Sequence, residues 1–118
     1  MNLIEENLNG INGTFYEKLS EDCLFDFELF YSLVNFIDDL SKSNLDTNIR
    51  LQNSNELWEL GFRIQSCISS SFNESDVYNI DNLNVEQLVG FNSVIGYICK
   101  SFSDNIKLDI DFIKVEIE

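Results

Sequence analysis

Histidine is absent from the 118 residues. With it go the commonest general acid or base, every Ser-His or Cys-His nucleophile pair and the usual zinc ligand sets. Proline is absent too, so the punctuation of the chain rests on five glycines and on asparagine. Lysine and arginine are scarce, seven against 21 Asp and Glu, for a formal charge of −14. Such a surface repels phosphate backbones and anionic lipid, which argues against direct nucleic-acid or membrane binding. No apolar run approaches the ~18 residues of a membrane span, and MNLIEEN lacks the basic start and apolar core of a signal peptide. The expected compartment is therefore the cytoplasm. There is no CxxC pair, no Gly-rich phosphate loop, and no completion of Asn79, Asp81, Asn82 into a calcium loop. No metal or cofactor is expected.

What is present is apolar mass. Hydrophobic residues make up 44% of the chain and ten are Phe, enough for one core without a disulfide or metal clamp. With no internal repeat and no linker, residues 1–118 read as a single domain. Cys23, Cys67 and Cys99 are odd in number and widely spaced. Each falls in an apolar helical pattern, which reads as a reduced thiol packed as a small hydrophobe. Asn12 and Asn73 open chance glycosylation sequons.

The fold class expected is mainly α: three long helices at 23–41, 54–72 and 84–103, one or two short N-terminal helices, and a C-terminal β-strand. Eleven of the seventeen positions from Leu24 to Leu40 are apolar or aromatic, which marks this stretch for burial. Residues 42–53 read as a polar surface connection, with Asn53 and Glu56 capping the next helix. Leu57, Leu60, Gly61, Ile64, Cys67, Ile68 and Phe72 follow a helical period, with Trp58 and Phe62 beside the stripe as core or as interface anchors. Residues 73–83 read as a loop. Asn84 and Gln87 form a capping-box pattern ahead of the third helix, where Gly90 and Gly96 suggest close packing. In the tail, Leu108, Ile110 and Phe112 alternate with Asp109 and Asp111 before the phase shifts, which predicts a strand with a bulge at Phe112–Ile113. It would pair within the chain, near Ile49–Leu51 or residues 2–5, or offer an edge to another chain.

Asp38-Asp39 and the Asp109, Asp111 alternation could supply paired carboxylates for catalysis, but such pairs arise readily in so acidic a chain. A folded body with this field accelerates encounter with a basic protein. Asp38, Asp39, Glu56 and Glu59, flanking the 42–53 connection, and Asp109, Asp111 and Glu116 on the tail are the candidate partner contacts. In its stretch Phe25–Asp39 and its acidic tail, the chain resembles the immunity proteins of bacterial contact-dependent and other polymorphic toxins, and phage-encoded nuclease inhibitors. The resemblance implies a non-enzymatic cytoplasmic antidote, monomeric when free, that covers the working surface of one cognate, basic toxin domain, often a nuclease. It implies no particular architecture. The alternatives are an acidic adaptor that contacts its own copy or a host protein through Trp58, Phe62 or the tail, and a carboxylate-dependent enzyme.

Overall fold

A computed structural model of the protein describes residues 1–73, 75 and 77–118; the acids Glu74 and Asp76 of the 73–83 segment lie outside the described residues. Six helices account for its regular structure: α1 (Leu3–Leu8), α2 (Phe15–Asp22), α3 (Phe27–Lys42), α4 (Thr47–Phe72), α5 (Val85–Ser103) and α6 (Ile110–Ile117).

Each helix begins on a side-chain oxygen that accepts an otherwise orphaned backbone N–H: Asn2, Thr14, Asp26, Asp46, Asn84 and Asp109 in turn. Asn84 and Gln87 close the expected capping box, at 2.8 and 3.0 Å. Gly10 and Gly13 turn the chain between α1 and α2 at positive φ. Buried Asn7 ties those helices together, its Nδ2 donating to the Leu3 carbonyl while its Oδ1 accepts from the Tyr16 amide, each at 2.9 Å. α5 is the central rod. It packs against α4 through Ile95 and Cys99, against α6 through Gly90, and against α3 through the ring of Phe91.

The C-terminal strand is not found: Asp109, Asp111 and Glu116 belong to α6 or to its cap. The phase shift at Phe112–Ile113 is a helical period and not a bulge. Ile113 and Ile117 are fully buried, whereas Val115 is 78% exposed. Asp109 Oδ1 accepts from the Phe112 amide and starts the helix. No strand partner is then needed, because the backbone hydrogen bonds close within the segment.

The long helices also differ in their limits. Residues 23–26 are not helical; Cys23 takes the left-handed conformation that ends α2, half-buried outside the core. The 42–53 connection shrinks to 43–46, since Asp46 and not Asn53 caps α4. The polar first turns of α4 are held by long-range contacts. Arg50 Nη2 donates to the carbonyls of Ser41 and Ser43 at the end of α3, at 3.1 and 3.3 Å, and its guanidinium lies over the Phe102 ring. Asn53, buried in mid-helix, accepts from Asn2 Nδ2. The 23–26 link is clamped across the molecule, since Asn82 exchanges two hydrogen bonds with the backbone of Phe25, at 2.8 and 2.9 Å.

Gly90 and Gly96 part company. A Cβ at Gly90 would lie 1.9 Å from the Glu116 carbonyl oxygen, whereas one at Gly96 would meet nothing within 4 Å. Close packing therefore explains Gly90 alone.

The start of α3 yields a test. The Leu29 amide bonded to Asp26 holds that carboxyl below its ordinary range, and Lys18, 3.3 Å away, adds to the effect against a desolvation that opposes it. A carboxyl depressed in the folded state lends stability in full above its unfolded pKa of about 4, and that stability is lost as pH falls through the folded value. Asp26→Ala should cost about 1 kcal/mol at neutral pH. Urea midpoints of the two proteins should draw together as pH falls below about 4; a gap of constant width would show that the carboxylate charge contributes nothing.

Candidate partner-binding surface

Three ion pairs, Lys18–Asp26, Lys42–Asp38 and Arg63–Glu59, use three of the seven cations. Arg50 is committed to carbonyls and Lys114 lies over the Tyr31 ring. Among the described residues most of the acids therefore stand without a cation, and their field is available to a partner.

The seven acids expected at the interface are not gathered in one place. Asp38 is mostly buried and bonds Lys42 through Oδ2 at 2.8 Å, while its Oδ1, closed to solvent, has no hydrogen-bond partner among the described residues. Asp39, one residue on, is exposed. Glu59 is held by Arg63 at 2.9 Å, and that guanidinium also donates to the Leu8 carbonyl, fixing α1 to α4. Asp109 caps α6, and its own amide donates to the Tyr97 hydroxyl. Asp111 is exposed in the first turn of α6, while Glu116 is half-buried with its carbonyl against Gly90. The α6 acids and those of α4 cannot share one small footprint, because the two helices pack on different sides of α5.

Glu56 stands apart. It lines an open groove of about 570 Å³ between α1 and the first half of α4, with Glu5, Leu8, Asn9, Asn48, Leu51, Gln52 and Asn55. The lining is two carboxylates, four amides and two leucines, without a cation. Glu5 is held in place by the α1 capping box, and Glu56 Oε1 is shut from water with no hydrogen-bond partner among the described residues. A donor from outside would reach that oxygen only if the side chain turned out into the groove. A polar connection over 42–53 would leave Asn48 and Gln52 off the helix that aligns them with Glu56, and nothing local in the sequence sets Glu5 and Asn9 beside them.

The structure offers little activated chemistry. Burial raises the Cys99 thiol to about 12 and also raises Cys67, which leaves neither as a thiolate at neutral pH. Among the described residues no group of three or more Cys, Asp or Glu is gathered as a metal would require, and no helix is long and apolar enough to cross a membrane.

Trp58 and Phe62 are not the core residues their place beside the stripe favoured, with interface anchors as the alternative: both are exposed. Trp58 Nε1 donates to Ser103 Oγ at 2.7 Å, laying the indole along the α4–α5 seam. No protein family, curated protein or solved structure matches the chain.

Proposed function

We propose that the protein is a non-enzymatic binding protein of the immunity or inhibitor kind, which neutralises a basic toxin domain by receiving its Lys or Arg side chains in the α1–α4 groove. The observation that carries this reading is the groove itself, lined by the carboxylates of Glu5 and Glu56 and by four amides, with no cation among its lining residues. A guanidinium supplies several donors in a planar fork, matched to one carboxylate and the neighbouring amide oxygens. Asp39, and Glu59 once Arg63 is drawn aside, would extend the field around the groove and steer encounter. A basic partner matched to this field would be a nucleic-acid enzyme, whose phosphate-binding surface an acidic domain can occupy.

Where the gene immediately upstream encodes a large secreted protein with a variable C-terminal domain, the test titrates the protein with that domain. A saturable one-to-one complex is expected, with an on-rate that falls as salt rises. Glu5→Gln with Glu56→Gln should slow association several-fold at low salt and flatten its salt dependence. Absence of a complex with a folded basic domain, or an on-rate indifferent to both changes, would sink the reading. The exposure of Trp58 and Phe62 favours a second reading, an adaptor that uses the α4–α5 face.

A further inference from the structure

α5 shows solvent a stripe that nothing in the chain covers. Val85 is 65% and Val89 55% exposed, and Glu86, Ser93 and Lys100 are exposed beside them. Alongside, on α4, stand Trp58 and Phe62, the latter 71% exposed. These large apolar groups lie on one side of a small protein, where scattered single exposures would be unremarkable but a contiguous patch marks an interface.

Charge identifies the occupant. In a chain of net −14, two copies repel wherever their acidic surfaces meet. The α5 stripe carries one acid and one base. Glu86 lies in the first turn of the helix and Lys100 in the last, fourteen residues apart, which is close to four turns and puts them on one face about 21 Å apart. No ion pair within the chain engages either among the described residues. Laid antiparallel on itself about a two-fold axis near Ser93, the stripe sets Glu86 of each copy against Lys100 of the other, an isologous and self-complementary contact. Gly96, where an added Cβ would meet nothing, leaves room for Val89 of the second copy. A mid-helix glycine costs about 1 kcal/mol relative to alanine, and at Gly96, half-buried, no close contact within the chain calls for one.

We infer that the outer face of α5, flanked by Trp58 and Phe62, is the interface of an antiparallel homodimer held in register by reciprocal Glu86–Lys100 pairs. The contact differs from the monomer expected of the free protein. It is independent of the groove reading, because no α5 residue lines the α1–α4 groove.

The experiment is sedimentation of the full chain from about 1 to 100 μM, a span that resolves micromolar dissociation constants. The wild type should sediment as a dimer at the upper end. Lys100→Glu, which faces Glu86 with a like charge, should be monomeric there, and Glu86→Lys with Lys100→Glu should restore the dimer. Both changes oppose the dipole of α5, so a merely structural effect would leave the double variant worse than the single one. Thermal melts by circular dichroism confirm that each variant is folded. A wild type monomeric throughout, or a dimer indifferent to Lys100→Glu, or a double variant that stays monomeric, overturns the inference. Each of these outcomes leaves the partner titration of the groove unaffected.

Discussion

Gly90→Ala should detach α6 and remove about 2–5 kcal/mol of stability, although alanine is the better helix former. The methyl group would have to occupy a point 1.9 Å from the Glu116 carbonyl oxygen, with the carbonyl carbon at 2.9 Å. Both are backbone atoms of a helix, so no side-chain rotation clears them. α6 is also fixed at its ends, by the Tyr97 hydroxyl on the Asp109 amide and by Gln87 Nε2 on the Ile117 carbonyl. It cannot tilt without breaking those bonds. Lifting it exposes Ile113 and Ile117, both fully buried, at about 1.5–3 kcal/mol each, while the substitution gains about 1 kcal/mol of helix propensity. Gly61→Ala is the contrast. Its Cβ would approach the Cys99 sulfur at 2.8 Å and Ile95 Cγ2 at 3.3 Å, which are side-chain atoms with some freedom to yield. Urea denaturation should rank Gly90→Ala well below Gly61→Ala, and hydrogen exchange in the Gly90 variant should show protection lost in 110–117 with α3 and α4 retained. A Gly90→Ala protein as stable as the wild type would mean that α6 does not rest on α5 at this distance.

That α6 is a helix at all was the least legible feature of the chain. Eight residues hold barely two turns, and Leu108, Ile110 and Phe112 satisfy a period of two as well as Ile110, Ile113 and Ile117 satisfy 3.6. What separates them is Asp109 at the cap and the bare surface at Gly90, and the second is visible only once the helices meet. The stripes of α3, α4 and α5 were legible because they run long enough for only one period to fit. The first two turns of α4 were not, since their helicity rests on Arg50 reaching α3 and on Asn53 meeting Asn2, contacts that no local pattern contains. The candidate site divides in the same way. Net charge forecast an unneutralised acidic surface, and the Asp38–Lys42 spacing of four could have shown that Asp38 was committed. Glu56 beside Glu5 could be seen only after α1 had folded back along α4.

The largest single loss should come from Phe91→Ala, at about 3–5 kcal/mol and a fall in melting temperature on the order of 10–20 °C. Phe91 has no solvent exposure, and its ring meets three others: Phe25 at 4.5 Å and Phe30 at 5.3 Å, with Phe15 at 6.0 Å, all nearly perpendicular. Those rings belong to α2, to the link clamped by Asn82, and to α3, and they also meet one another at 5.2–5.3 Å, so one side chain on α5 completes a cluster drawn from three other segments. Edge-to-face rings contribute about 0.5–1.5 kcal/mol per pair beyond area burial, and truncation leaves a cavity bounded by helices that cannot easily collapse into it. A domain of this length has ~6–18 kcal/mol in hand at the usual stability per residue, so the variant keeps its fold only narrowly. Because the rings touch, their effects should not add: a cycle of Phe25→Ala, Phe91→Ala and the double variant should give a coupling of about 1 kcal/mol. Strict additivity would show that the two side chains act as independent core residues, and that the link at Phe25 is held by Asn82 and the rings of Phe15, Phe27 and Phe30.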